Sequence, residues 1–278
     1  MLDAHPELAI PPETGFLRLA RELEGEGQGE EIRGKLFALV VSFPPSAPAW
    51  EDFGISSEEL RKRLEALDPF TVADGVRLFY RMYAERFDKP RWGDKTPLHC
   101  REMPWIEELL PEAHFIHLVR DGRDASLSLR RTWFSPGSDV ETLARYWLEN
   151  VEAAREGGAA VRHFLEVRYE DLVAKPEPVL RRICDFLDLA YRDEMLRYPE
   201  RAALRLAEHR GRQRADGSIL LSQEERLRQQ SLTRQSPVGS RVGVWEREMG
   251  EEEVRRFEAI AGERLAAYGY RLARRSRL

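Results

Sequence analysis

The sequence predicts an α/β fold built on a parallel β-sheet with helices on its faces. Residues 115–119 and 163–169 are short runs with the apolar and β-branched content of buried parallel strands. Between them, residues 139–156 set Leu143, Tyr146, Trp147 and Val151 on one face of a long helix. Strand-like segments alternate with helical ones along the rest of the chain, which is the pattern of a doubly wound sheet. At 278 residues, one domain over 1–278 is expected.

Taken in order, residues 1–5 have the pattern of a helix tail stopped by Pro6. Leu8-Ala9-Ile10 forms a short strand ended by Pro11-Pro12, and Glu13-Thr14 opens a helix with Phe16, Leu17, Ala20 and Leu23 inside. The Gly-rich stretch 25–30 invites a phosphate-loop reading. Glu24, Glu26 and Glu30 would repel an anion there, and no Lys-Ser or Lys-Thr follows, so a flexible loop is expected. Helices are predicted over 31–42, 57–67 and 70–87, the second opened by a Ser56/Glu59 capping box. A short strand with a sharp stop lies in 91–97, and a helix over 98–110 leads through Pro111 into strand 115–119. The chain then turns at Asp121-Gly122 into a helix carrying Leu127 and Leu129. Gly157-Gly158 is expected to end the long helix, and a Pro-flanked helix follows strand 163–169 to about residue 189. Residues 198–236 lose periodicity and hold eight Arg against five acidic residues, as a solvated loop or mobile basic flap would. A last amphipathic helix spans 251–267.

Charged residues make up 33% of the chain but sum to only −5, so no global field draws nucleic acid. Cys100 and Cys184 show no Cys-x-x-Cys spacing, so a reduced, cytoplasmic setting is the default. The longest apolar run, 36–41, is too short for a bilayer span, and Asp3, Pro6 and Glu7 interrupt any signal-peptide core. His114 and His117 are three apart on a strand, face opposite sides and cannot share a metal. No His-Glu-x-x-His, Gly-x-Ser-x-Gly or Gly-x-x-x-x-Gly-Lys-Ser occurs.

Two residues point to anion binding by chemistry alone. Arg120 leaves the carboxyl end of strand 115–119, where open α/β sheets bind ligands, and its planar guanidinium takes two phosphate oxygens at once. Ser128, about two turns into the next helix, offers a hydroxyl from the same side. An Arg at a strand end serves equally as a surface ion pair.

Five motifs then occur in register: Met1-Leu2-Asp3-Ala4-His5-Pro6-Glu7-Leu8 with Glu13-Thr14; Gly93-Asp94-Lys95-Thr96-Pro97; Leu118-Val119-Arg120-Asp121-Gly122-Arg123-Asp124 with Ser128; Arg168-Tyr169-Glu170-Asp171-Leu172; and Ser240-Arg241-Val242-Gly243-x-Trp245. Together, across residues 1–270, they resemble the sulfotransferases, the bacterial members and the protein-tyrosine enzymes most of all. The resemblance implies a P-loop NTPase-like sheet that binds 3′-phosphoadenosine 5′-phosphosulfate. It implies transfer of the sulfuryl group to a hydroxyl or amine on a small molecule, carbohydrate or protein tyrosine, leaving adenosine 3′,5′-bisphosphate, with no metal, membrane or nucleic acid involved.

By the same resemblance, Arg120 and Ser128 grip the 3′-phosphate and Tyr169 lies beside the adenine. Arg241, with the Gly239 and Gly243 backbone, closes over the 3′-phosphate, Lys95 balances charge on the leaving phosphosulfate bridge, and Glu13 is the base. Plainer alternatives stand beside these: a helix-start carboxylate for Glu13, a solvated strand end for Lys95, core packing for Tyr169. His99 is a second base candidate and equally a polar helix start. Acceptor specificity is expected in 25–90 and 200–236.

The family pattern also includes an opening strand and an Arg-Ser-Gly-Thr-Thr-like loop that holds the 5′-phosphosulfate at a helix start. Met1 falls within the helix that should follow, so roughly twenty residues are expected to be missing. Two expectations result: a chain whose full-length form is a sulfotransferase, with residues 1–278 marginally stable by themselves, or a non-catalytic member that only binds adenosine 3′,5′-bisphosphate. A nucleotide kinase is disfavoured by the missing Walker lysine.

Overall fold

The computed structural model describes residues 1–273 except 26, 28, 133, 215, 231–233 and 235–238. In chain order the elements are β1 (Leu8–Ala9), α1 (Leu17–Glu22), α2 (Glu30–Ser42), α3 (Ser57–Glu65), α4 (Val72–Glu85), β2 (Arg91–Trp92), α5 (Met103–Leu109), β3 (Phe115–Val119), α6 (Gly122–Leu129) and α7 (Val140–Ala160). They continue with β4 (Phe164–Arg168), α8 (Tyr169–Ala174), α9 (Pro176–Phe186), α10 (Tyr198–Leu206), β5 (Arg212–Gln213), β6 (Ile219–Leu221), α11 (Gln223–Gln229), α12 (Trp245–Glu248) and α13 (Glu251–Ala267). The α/β class with parallel strands is as expected. The chain divides into two compact units, residues 1–113 with 188–236 and residues 114–187 with 237–278.

In the first unit β1 and β2 pair in parallel, Leu8 opposite Arg91 and Ala9 opposite Trp92. Its core is aromatic: Phe79 meets Phe53 edge-on at 5.0 Å and Phe16 at 5.3 Å, and Tyr80 stacks on Trp92 at 4.5 Å. Caps set the helix starts. Ser56 accepts from the Glu59 N–H and Thr71 from the Asp74 N–H, so the Ser56 half of the expected capping box is present.

The second unit holds the other parallel pair, β3 and β4, in register from Phe115–Phe164 to Val119–Arg168. Trp147, Val151, Trp245, Phe257 and Leu265 from α7, α12 and α13 form its core with Val119 and Leu127. The expectation of a strand buried on all sides is corrected here. Among the described residues β3 has a strand neighbour on one side only, and Leu118 is 48% exposed.

Four other boundaries differ from the sequence reading. The first helix begins at Leu17, not Glu13, because Gly15 takes a left-handed φ of 74° and breaks the backbone path. The 98–110 helix is a 3₁₀ turn, Pro97–Arg101, followed by α5, with Pro104 at the second start. The glycine pair does not end α7, which runs to Ala160. Gly157 is buried, and a Cβ on Gly158 would sit 2.7 Å from the Phe164 ring, so these glycines serve close packing.

The fourth difference is the 198–236 segment, which is not an unstructured flap. It holds α10, an antiparallel β5–β6 hairpin and α11. Positions 215, 231–233, 235 and 236 of that segment, like 26 and 28 of the Gly-rich loop, lie outside the described residues.

Candidate functional site

In the second unit the β3 end is tied down by its neighbours. The Arg120 carbonyl accepts from the Trp147 indole N–H at 3.1 Å, and the Asp121 N–H donates to Glu170 at 2.9 Å. Asp121 then caps α6 by accepting from the Arg123 N–H at 3.0 Å. These bonds leave the Arg120 side chain as the free arm of the turn. Its Nη2 donates to the Arg241 carbonyl at 2.6 Å and its guanidinium lies 4.8 Å from the Tyr169 ring centroid. Its buried Nε has no partner among the described residues. Arg120, Tyr169 and Arg241 are therefore brought together.

Tyr169 opens α8 half-buried with Arg120 over its ring, which departs from the core-packing alternative. Ser128 sits exposed in the last turn of α6, and no hydrogen bond joins it to Arg120. Arg241 ends the short turn Gly239–Arg241, and Gly243 supplies the left-handed φ of 71° that carries the chain into α12.

Two residues that sequence reasoning quoted without assigning a role hold this arrangement. Asp124 is buried, and its two oxygens accept from the Gly243 N–H at 2.7 Å and the Trp245 N–H at 2.8 Å, anchoring the Arg241 turn onto α6. Burial pushes its carboxyl above the ordinary range, against the pull of those two N–H groups and Arg120. Arg123 is 1% exposed and forks onto Asp121, reaches Glu258 at 2.7 Å and the Arg271 carbonyl at 2.9 Å, and lies 3.6 Å over the Trp245 ring. The one available signal was the doubled Arg-Asp in 120–124.

In the first unit, Glu13 and Lys95 stand at the ends of the β1 and β2 crossings and form an exposed ion pair with each other. With α1 starting at Leu17, Glu13 is no helix-start carboxylate. Beside the pair lies an inner network. The Thr14 and Tyr80 hydroxyls both donate to Asp94 Oδ2, and the Thr14 N–H donates to Thr96 Oγ1 at 3.2 Å. His99 Nε2 lies 3.2 Å from Asp94 Oδ1, an ion pair without the alignment of a hydrogen bond, and Nδ1 lies 3.4 Å from Glu102.

Burial pushes the Asp94 carboxyl up, yet His99, Thr14 and Tyr80 together hold it below the usual range. Burial likewise opposes the charged imidazole, but Asp94 and Glu102 push His99 up to about 9. Desolvation, with Asp94 beside it, raises the Tyr80 phenol well above its ordinary value.

Cys100 is half-buried and Cys184 is buried. Among the described residues no group of three or more His, Cys, Asp or Glu is placed to hold a metal, and no helix is long and apolar enough to cross a membrane.

Comparison with known proteins agrees with these motifs. Residues 1–193 match the sulfotransferase family. The chain is 24% identical over 210 residues to protein-tyrosine sulfotransferase A of Caenorhabditis elegans, covering 72% of this chain and 48% of that protein. It is 26% identical over 167 residues to the omega-hydroxy-beta-dihydromenaquinone-9 sulfotransferase of Mycobacterium tuberculosis, covering 54% of this chain and 41% of that one. The chain thus spans about half or less of the length of these curated relatives. In fold it is similar to the sulfotransferase domain of the Synechococcus PCC 7002 olefin synthase, with a TM-score of 0.55 at 18% identity over 98% of this chain and 89% of that one.

Proposed function

The chain belongs to the sulfotransferase family, and from that premise we propose that it moves a sulfuryl group from 3′-phosphoadenosine 5′-phosphosulfate to a hydroxyl or amine acceptor. The observation that carries the donor side is the Arg120 clasp. A guanidinium already oriented by the Tyr169 ring and the Arg241 carbonyl, with a buried Nε–H that has no partner among the described residues, fits a phosphate group. Arg120, Ser128 and Arg241 would hold the 3′-phosphate and Tyr169 the adenine side. The bound donor supplies the activated sulfuryl group.

Transfer of this kind passes through a loose, in-line transition state, so placement and charge do most of the work. Glu13 is the group we assign to take the acceptor proton, and Lys95 the compact cation that meets charge on the leaving oxygen. Their exposed ion pair is worth at most about 1 kcal/mol, so either is recruited at little cost. His99 is a poor base by comparison. Both its nitrogens face carboxylates, and its imidazole stays protonated up to about pH 9.

The acceptors named for the two relatives, a protein tyrosine and a hydroxylated menaquinone, both present a hydroxyl, which favours a hydroxyl here. Two cysteines without a Cys-x-x-Cys spacing are in keeping with a reducing, cytoplasmic setting.

The donor side is tested by calorimetry with adenosine 3′,5′-bisphosphate. Arg120→Ala should lose a charge-assisted contact of about 1.5–3 kcal/mol, roughly 10- to 150-fold in affinity. An unchanged affinity would remove Arg120 from the site and the main support for this function.

A further inference from the structure

The Glu13–Lys95 pair is exposed on both sides, 51% and 63% for the two side chains, and such a pair does not fix its own geometry. What stands behind it is better determined. β1 and β2 run side by side, and the Gly93 N–H still donates to the Ala9 carbonyl at 2.9 Å, one residue past the strands. From there the strand pairing ends, and the Pro11–Glu13 and Asp94–Lys95 segments run on without a backbone ladder to set their spacing. Two side-chain links restore it, Thr14 Oγ1 to Asp94 and the Thr14 N–H to Thr96. Both belong to residues adjoining Glu13 and Lys95.

Asp94 is itself over-determined. Oδ2 accepts from the Thr14 and Tyr80 hydroxyls, whose oxygens lie 3.0 Å from each other, so the three groups form one hydrogen-bonded cluster. Oδ1 faces the His99 imidazolium, and the Tyr80 ring is fixed by its stack on Trp92. Side-chain exposures of 9% for Asp94 and 14% for His99 shield this network from the solvent that screens the pair outside.

We propose that Asp94 is the positioning residue of the acceptor side: by holding the Thr14 hydroxyl it fixes where the Glu13 carboxylate and the Lys95 ammonium stand, with Tyr80 and His99 fixing Asp94 in turn. This rests on the roles given above to Glu13 and Lys95, and so the test carries one readout that needs no sulfuryl transfer.

Thr14→Val removes the hydroxyl at nearly constant volume, and Thr14→Ser keeps it. Each variant is assayed for sulfate transfer and for the rate at which acetic anhydride labels Lys95, followed by mass spectrometry. Thr14→Val should lower kcat about 10- to 100-fold, the usual cost of a misplaced catalytic group, without weakening adenosine 3′,5′-bisphosphate. Its Lys95 labelling should rise to the level of Glu13→Gln, where the pair is broken outright, and Thr14→Ser should restore both values. If Thr14→Val matches the unsubstituted protein in kcat and in Lys95 labelling, the positioning role is wrong.

If the unsubstituted protein sulfates no acceptor, the sulfuryl-transfer reading fails instead, and Lys95 labelling alone decides the positioning role. Should Thr14→Val fail to fold, His99→Gln, which cuts the ion pair on Oδ1, goes through the same two measurements. A smaller change in the same direction supports the proposal, and values equal to the unsubstituted protein overturn it.

Discussion

Replacing Arg123 by Met should cost more stability than any exposed charge on this chain. Met keeps the apolar stem and most of the volume but deletes a guanidinium that makes four hydrogen bonds, two to Asp121, one to Glu258 and one to the Arg271 carbonyl. Asp121 and Glu258 are then left as carboxylates with side chains only 8% and 14% exposed. Removing one partner of a buried pair costs about 3–5 kcal/mol, and losing the stack on Trp245 falls within that range rather than adding to it. Set against a total stability of about 5–15 kcal/mol, the loss is large. Arg123→Lys keeps the charge but not the fork, and should fall in between, near the cost of one lost charged hydrogen bond, about 1.5–3 kcal/mol.

The assay is urea unfolding followed by tryptophan fluorescence. With a slope of about 1–3 kcal/mol/M, the Arg123→Met midpoint should drop by at least about 1 M at unchanged slope. The double variant Asp121→Asn/Arg123→Met should recover part of the loss, since it removes one of the stranded charges and keeps a capping side chain. An Arg123→Met midpoint within experimental error of the unsubstituted protein would refute the argument, because it would mean the buried fork and its carboxylates contribute nothing net.

Gly122→Ala should also destabilise, by about 1–3 kcal/mol as overpacking does. Its new Cβ would meet the buried Trp147 ring at 2.5 Å and Phe257 at 2.9 Å, whereas Gly250→Ala, with nothing within 4 Å, should leave the thermal midpoint nearly unchanged. His99 predicts a pH signature. Its imidazole is raised from 6.5 to about 9 in the folded state, so its stabilisation is fully present below pH 6.5 and is lost as pH rises through about 9. The stability gap between the unsubstituted protein and His99→Gln, measured by denaturant titration at pH 6 and pH 10, should therefore close toward the higher pH. A gap that widens would contradict the Asp94 and Glu102 contacts.

Where the sequence was legible, one kind of force dominated. Strand 115–119 and helix 251–267 match residue for residue because an apolar run and an apolar stripe are patterns that a chain shows on its face. Residues 198–230 were illegible for the opposite reason. Their order comes from charge: Asp52, 1% exposed, takes the Arg210 N–H, Arg212 and Arg226, while Glu208 takes Tyr83, Arg86 and Arg205. Arginines that anchor inward leave no apolar stripe, and Asp52, the carboxylate that takes Arg212 and Arg226, stands more than a hundred residues away. The glycine pair in α7 misled differently, since a glycine that admits the Phe164 ring and one that ends a helix look the same in a string of letters.

The candidate site divides along the same line. Arg120 was singled out because it lies at a strand end, a position that sequence marks by the run before it, and Glu13 and Lys95 because their motifs resemble those of the sulfotransferases. Asp94, Thr14 and Asp124 lie within the same motifs and went unassigned, because they face inward: Asp94 accepts from the Thr14 hydroxyl of another segment, and Asp124 accepts from backbone 119 and 121 residues downstream. Outward chemistry is written in residue type, and inward support is written in partners. A variant series that probes only Arg120, Lys95 and Glu13 therefore measures the groups proposed to meet ligand while leaving unmeasured the carboxylates proposed to set where those groups stand. Asp94 and Asp124 are where a loss of function without loss of a reacting group should arise.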